Sequence, residues 1–307
     1  MKATPDIIIR EVALRDGLQS EKRFVTTDKK LELIEALSQA GVTYLETTSF
    51  VSPGAIPQLR DAADLMGKAK RKDLFHEVMI PNARGAQAAL GSGVDRLIMF
   101  VSASDTHNRA NVGRGIDESL AAMPAIRELA DEYEVPIAGA VATAFGCPFT
   151  GTVPIDMVLS ITRQLIKNGA DRITLADTTG MANPLQIKEI SAIFKETFPD
   201  VTLCLHLHNN RGIAMANLYA GYLAGITMFD TALGGIGGCP NVPQAAGNVA
   251  TEDVVFMFES MGVDTGIDLP ALIDAACKLE KILGHMLPGQ VMKSGPLNSK
   301  AKECKVL

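Results

Sequence analysis

The sequence contains no Trp, and only 4 Tyr and 11 Phe among 307 residues. A core of this size must be largely aliphatic, which suits Val/Ile/Leu-lined parallel strands better than an aromatic-rich β-sandwich. Paired cysteines are missing too. Cys147, Cys204, Cys239, Cys277 and Cys304 are scattered with no Cys-x-x-Cys. This excludes a zinc ribbon or a thioredoxin-type motif and points to a reducing compartment, with the cytoplasm as the default. Met1 to Asp6 hold no apolar leader stretch, and no apolar run approaches the roughly 18 residues that span a bilayer. No membrane association is expected. An excess of positive charge is absent as well: the net charge is -6, which argues against nucleic-acid binding through a broad basic surface. Cys304-Lys305-Val306-Leu307 resembles a prenylation box by chance only, since Lys305 stands where an aliphatic residue is preferred.

What is present is an ordinary globular composition, 47% hydrophobic and 21% charged. Length alone allows either two domains or one large α/β barrel. A repeated local pattern decides between them. Gly41-Val42-Thr43-Tyr44-Leu45-Glu46, Gly93-Val94-Asp95-Arg96-Leu97-Ile98, Gly169-Ala170-Asp171-Arg172-Ile173-Thr174 and Gly225-Ile226-Thr227-Met228-Phe229-Asp230 each place a Gly after a helix-like stretch and before a short apolar run. Gly suits the left-handed C-terminal cap of a helix, and the run after it reads as a buried strand. Leu31, Ile34 and Leu37 supply helical spacing before Gly41. Further strands are expected at 7–9, 75–80, 136–143 and 201–208, giving eight strands, each followed by a helix. This predicts an α/β fold, a (β/α)8 TIM barrel over residues 1–263. Residues 264–307 form an extension of the same domain, with a helix around 270–284 and a tail over the barrel mouth. A doubly wound open sheet fits less well, because no Gly-rich fingerprint follows the first strand.

In such barrels the active site lies at the C-terminal ends of the strands. The expected strand ends carry Arg15-Asp16-Gly17, Glu46-Thr47-Thr48-Ser49, Asp177-Thr178-Thr179-Gly180, His206-Leu207-His208-Asn209-Asn210 and Gly234-Gly235-Ile236-Gly237-Gly238-Cys239-Pro240, with Asn248 beyond. His206 and His208, two apart on a strand, share a face about 7 Å apart and can converge on one ion. The same spacing also arises where two polar residues simply meet water. Asp16 and Asn248 at the same end favour the ion, and the nitrogen and oxygen donors suit Mg²⁺ or Mn²⁺, with Zn²⁺ left open. Arg15 is either a surface ion pair with Asp16 or a donor fork for an enolate oxygen. The glycine run is either a plain flexible loop or a mobile one that carries the Cys239 thiol. Cys147, Cys204 and Cys277 read as packing cysteines, and His76, His107 and His285 as isolated.

Taken together, Arg15-Asp16-Gly17-Leu18-Gln19, Glu46-Thr47-Thr48-Ser49-Phe50-Val51-Ser52-Pro53, His206-x-His208 and the glycine-Cys239-Pro240 loop resemble the 3-hydroxy-3-methylglutaryl-CoA lyase family, over about residues 7–265. Arg-Asp-Gly and His-x-His are shared by a wider superfamily of metal-dependent barrels. The Cys loop followed by Gly247-Asn248-Val249-Ala250-Thr251-Glu252 points to the lyase branch. The resemblance implies Asp16, His206, His208 and Asn248 as ligands of a divalent metal cation. It makes Arg15 the enolate-stabilising cation, Glu46 an acidic site residue, Cys239 a proton-transferring thiol, and Asp177 and Gln19 site-lining residues. The implied reaction is retro-Claisen cleavage of the acyl-CoA thioester to acetyl-CoA and acetoacetate, with the hydroxyl proton passing to His206 or to Asp16 through water. Other readings are a lyase for citramalyl-CoA or a longer homologue, a condensing acyltransferase, and a barrel that only binds. Asn209 and Leu14 replace residues common in the family, Asp and Pro, and bear on substrate choice. Lys22, Arg109 and Arg114 are basic residues near the loops with no assigned CoA contact. A homodimer is the default assembly.

Overall fold

Eight strands form where the sequence pattern puts them. They are β1 (Ile8–Glu11), β2 (Tyr44–Ser49), β3 (Phe75–Met79), β4 (Arg96–Ser102), β5 (Ile137–Ala142), β6 (Ala170–Asp177), β7 (Thr202–Leu207) and β8 (Met228–Thr231). Each pairs in parallel with the next, and β1 pairs with β8, closing a barrel with no free edge. The computed structural model describes residues 5–69, 73–238 and 247–297. The expected (β/α)8 TIM barrel is the fold observed.

The helices α1 (Thr27–Gln39), α2 (Ala62–Ala69), α3 (Ala83–Leu90), α4 (Asp105–Val112), α5 (Ile116–Ala121), α6 (Met123–Glu132), α7 (Ile155–Lys167), α8 (Pro184–Thr197), α9 (Ala214–Leu223) and α10 (Thr251–Ser260) alternate with the strands. Three of their starts carry side-chain caps: Asn82, Ser104 and Asn183 accept the backbone N–H of Gly85, His107 and Gln186. Their ends follow the repeat, for Gly41, Gly93, Gly169 and Gly225 all take positive φ between helix and strand.

Strand alternation divides the interior in two. Ile9, Leu45, Val78, Leu97, Met99, Ile173, Leu205 and Phe229 face outward and pack with the helices in one large aliphatic cluster. Inside the barrel the residues are different. Met79, Ile98, Phe100, Ala138 and Ala140 form a second, smaller apolar cluster. Opposite it, Arg10, Glu46, Glu77, Thr174, His206 and Asp230 are buried. A lumen so rich in charge is unusual for a fold whose interior layers are normally Val, Ile and Leu.

The extension carries α11 (Leu269–Leu283) and α12 (Val291–Ser294). The helix and the tail at the mouth are where they were expected. The α11 helix packs sideways against α1 and α10 and joins the outer ring, since its apolar stripe needs a helical partner. It also touches the Leu233–Gly235 turn after β8, and the chain beyond it reaches the mouth, where the Gly289 N–H donates to the Gly234 carbonyl at 3.0 Å. Among the described residues, no helix is long and apolar enough to cross a membrane.

Phe258 seats α10 on the barrel, fully buried against Phe229 and Tyr222. Phe258→Ala should lower stability by about 3–5 kcal/mol in denaturant titrations, the usual cost of deleting a buried aromatic ring. A change below about 1 kcal/mol would show that this contact is dispensable.

Candidate active site

The chain leaves β1 through one π-helical turn, Ala13–Gly17. Such turns recur at functional sites, and this one aims Arg15 and Asp16 into the barrel mouth. The Asp16 carboxylate is used on both sides. Its Oδ1 accepts from Arg15 Nη1 at 2.7 Å and from Gln19 Nε2 at 2.8 Å. Its Oδ2 accepts from Asn248 Nδ2 at 2.7 Å and faces His208 Nε2 at 3.7 Å and His206 Nε2 at 3.9 Å. The two imidazoles meet at 3.0 Å, Nε2 to Nε2. Donor atoms of Asp16, His206 and His208 all lie within 4.8 Å of one another, and all three residues are buried. The His-x-His spacing therefore serves convergence, not wetting.

Asn248 joins this cluster because residues 247–250 thread between the ends of β7 and β8. His208 and Ala232 make single β-bridges to Asn248 and Ala250. The glycine turn after β8 makes room for them. Gly237 has φ +108°, and a Cβ there would sit 2.6 Å from Asn248 Nδ2. A Cβ at Gly247 would fall 1.9 Å from the Gly235 carbonyl. The described part of the glycine run, up to Gly238, is therefore a packed turn rather than a flexible loop. It is held by Ser20 Oγ donating to the Gly238 carbonyl at 2.6 Å. Cys239 lies outside the described residues.

The electrostatics follow from burial among charges. Burial works to raise the Asp16 pKa, but Arg15, His206 and His208 outweigh it and hold the carboxyl at about 2. Burial, helped by His206 and Arg15, pushes His208 down to about 4. His206 goes the other way: burial opposes its charge, yet the hydrogen bond to Asp230 and the Asp16 and Asp230 charges raise it. Arg15 also donates Nε to Glu46 Oε1 at 2.5 Å. The donors on hand are one carboxylate oxygen, two ring nitrogens and an amide, a set that suits a hard or borderline divalent cation. Asn248 Oδ1 and His208 Nδ1 are buried with no hydrogen-bond partner among the described residues. Two orphaned polar atoms beside a compact donor cluster fit a site built around an ion.

A cavity of about 720 Å³ opens on this cluster. It is lined by Arg15, Asp16, Gln19, Glu46, His206 and His208, and by Met79, Ile98, Phe100 and Ala140 on the apolar side. Gln19 and Glu46 thus stand where they were expected. Asp177 differs. Its two oxygens accept the Met181 and Ala182 N–H at 2.8 and 3.1 Å, and it is not among the lining residues. Burial raises its pKa to about 6, and its observed contacts tie the β6–α8 loop. Asn209 accepts the Ala214 N–H at 3.1 Å, so its side chain serves the start of α9. Two cysteine readings change as well: Cys204 donates to Asp230 Oδ1 at 3.1 Å, in polar surroundings, and Cys277 is disulfide-bonded.

Three residues were passed over in the sequence. Asp230 and Arg10 are charged residues inside short apolar strands, a pattern that marks a paired buried charge. His107 lines the cavity and meets Ser102 Oγ at 2.7 Å. Its signal was its place just after a strand end, in the first turn of a helix.

A closed parallel barrel with a compact Asp-His-His cluster and an arginine at its C-terminal mouth is the framework of an enzyme whose site can hold a metal ion. The HMGL-like family model matches residues 6–278. Hydroxymethylglutaryl-CoA lyase YngG of Bacillus subtilis is 39% identical over 292 residues, 94% of this chain and 98% of that protein. The (R)-citramalyl-CoA lyase of Chloroflexus aurantiacus is 41% identical over 302 residues, 95% of each. A solved HMG-CoA lyase from Acenitobacter baumannii, in complex with coenzyme A and 3-methylmalate, superposes with a TM-score of 0.92 at 42% identity, over 99% of this chain and 100% of that one. The chain belongs to the HMGL-like family, as an enzyme of the hydroxymethylglutaryl-CoA lyase type.

Glu252, at the start of α10, supports the glycine turn by accepting the Gly234 N–H at 3.0 Å. Burial, with Asp253 and Glu11 nearby, pushes its carboxyl from 4.5 up to about 8. A raised acid keeps its proton in the folded state while the unfolded chain loses it, so stability falls as pH rises from about 4.5 to about 8. Glu252→Gln mimics the protonated acid. It should match wild type in melting temperature near pH 5 and exceed it near pH 8.5. Parallel melting curves across that range would remove Glu252 from this role.

Proposed function

We propose that this protein cleaves 3-hydroxy-3-methylglutaryl-CoA to acetyl-CoA and acetoacetate, with a divalent cation, Mg²⁺ or Mn²⁺, held by Asp16, His206, His208 and Asn248. The convergence of Asp16, His206 and His208 within 4.8 Å, with Arg15 alongside, carries this reading. When bound, the ion supplies Lewis acidity that eases ionisation of the substrate's tertiary hydroxyl.

The chain's own residues do the rest. Glu46 and Asp16 grip Arg15 through Nε and Nη1, so the guanidinium is already oriented before substrate arrives. It lines the cavity, where charge gathers on the thioester oxygen as the C–C bond breaks. Gln19 steadies Asp16 from the other side. Cys239, the residue after Gly238 in the sequence, is assigned the proton returned to the acetyl-CoA enolate. A thiol with pKa near 8.5 is a suitable donor at neutral pH. The reading carries with it a cytoplasmic setting and a homodimer.

A second substrate is favoured by one observation. The citramalyl-CoA lyase matches this chain at 41% identity, beside 39% for the Bacillus lyase. Both substrates carry a tertiary hydroxyl and a thioester, and both undergo the same bond cleavage.

Activity should vanish after chelation and return with Mg²⁺ or Mn²⁺. In a panel of 3-hydroxy-acyl-CoA thioesters ranked by kcat/KM, hydroxymethylglutaryl-CoA should stand first. Full activity in excess chelator defeats the metal assignment, and a higher rank for citramalyl-CoA moves the protein to the second reading. Arg15→Met should lower kcat by about 10² or more while Mn²⁺ affinity stays within a few-fold of wild type. A near-normal kcat would remove Arg15 from the reaction.

A further inference from the structure

We propose that Asp230, clamped by Arg10, is the positioning residue of the metal centre, and that it makes the two histidines of the His-x-His pair unequal. The proposal rests on the metal reading above and adds a residue to it.

His206 and Asp230 are register partners on β7 and β8, and Asp230 and Arg10 are register partners on β8 and β1. All three side chains therefore project into the lumen at one level. Arg10 donates Nε to Asp230 Oδ1 at 2.7 Å and Nη2 to Asp230 Oδ2 at 2.6 Å. Its Nη1 reaches Glu77 Oε2 at 2.8 Å. A two-pronged guanidinium contact of this kind favours the carboxylate over the acid.

An ionised carboxylate only accepts hydrogen bonds. His206 Nδ1 lies 3.0 Å from Asp230 Oδ2, so the His206 proton resides on Nδ1. The Nε2 lone pair then points at the cluster, ready to ligate, whether or not an ion is present. The same logic assigns the neighbour. His206 Nε2 and His208 Nε2 are 3.0 Å apart, and with both imidazoles neutral one must donate; His206, its proton on Nδ1, cannot, so His208 carries its proton on Nε2. His208 Nδ1 is buried with no partner among the described residues. To ligate through Nε2, His208 must move its proton to Nδ1, whereas His206 changes nothing.

An amide cannot replace Asp230. Arg10 presents N–H donors to both oxygens, so an Asn side chain turned either way sets its NH₂ against one of them. Turned so that NH₂ lies at the Oδ2 position, it also faces His206 Nδ1 and drives that proton to Nε2. Loss of a carboxylate behind a ligating histidine typically weakens metal binding by about 10–100-fold.

The test uses the full chain labelled with ¹⁵N-histidine, metal-free and Mg²⁺-loaded, at a pH where both imidazoles are neutral. The His206 resonances are assigned by their loss in a His206→Gln sample. His206 should carry its proton on Nδ1 in both states, and His208 should switch from Nε2–H to Nδ1–H on loading. A proton on His206 Nε2 in the metal-free protein overturns the proposal, and this arm needs no folded Asp230 variant. Calorimetric titration of Asp230→Asn with Mn²⁺ should show the 10–100-fold weaker binding, with lost activity recovered in excess Mn²⁺. Unchanged Mn²⁺ affinity overturns the assignment while leaving the metal reading in place. Wild-type protein that binds neither ion overturns both.

Discussion

The Arg10–Asp230 pair joins the first strand to the last, inside the barrel and out of water. Both residues are about 1% exposed. Taking two charges out of solvent is expensive, and such a pair is often no better for stability than well-packed apolar residues. Met228 and Ile8, one layer below, make the same strand pairing without charge. Barrel closure alone thus gives no reason for an ion pair here. Its neighbours do. Asp230 also meets His206, and Arg10 also meets Glu77, which in turn accepts Arg172 Nη1 at 2.7 Å. The charges form a platform beneath the metal-type cluster, and the charge-rich lumen follows from the site it supports.

A second constraint acts at the rim. Glu11, the last residue of β1, accepts from the Ala13 and Leu233 N–H at 2.7 and 3.0 Å and from Thr251 Oγ1 at 2.6 Å. One carboxylate therefore fixes the π turn bearing Asp16, the turn after β8, and the start of α10. Burial lifts it to about 7, against those three hydrogen bonds. Asn248 lies between two of the segments it ties. The Asp16–His206–His208–Asn248 cluster draws on segments far apart in sequence, and Glu11 ties two of its neighbours, the turn bearing Asp16 and the start of α10, to the turn after β8.

The strand rhythm was legible because helix-capping glycines and short apolar runs are local signals. Arg15, Asp16, His206 and His208 were legible because polar residues at strand ends have little to do in packing. Asp230 was not, for the opposite reason: it sits inside Met228–Thr231, where a reader looks for the wall of a core. Its role appears only when β7 and β8 are set in register. The turn at Gly234–Gly238 read as flexible because glycine permits both mobility and close approach. Neighbours at Asn248 and Leu287 decide for close approach, and those contacts are non-local. Asp177 has the residue type and place of a catalytic acid, but the backbone N–H groups four and five residues on donate to its oxygens, which no spacing rule reveals.

The split lumen also explains why reaction and substrate are legible to different degrees. Arg15, Asp16, Glu46, His206 and His208 stand on or just after β1, β2 and β7, with Asn248 before α10, locked in a network where most charges have two partners. Changing one member there strands another as a buried unpaired charge, typically at several kcal/mol. Met79, Ile98, Phe100 and Ala140 stand opposite, on β3, β4 and β5, and share no hydrogen bond with that network through their side chains. Exchanging one of them for another apolar residue of similar volume costs about 1.5 kcal/mol or less. A family can therefore vary the apolar side of the cavity while the charged side stays fixed. Relatives of nearly equal identity that differ in their acyl-CoA are what such a division produces.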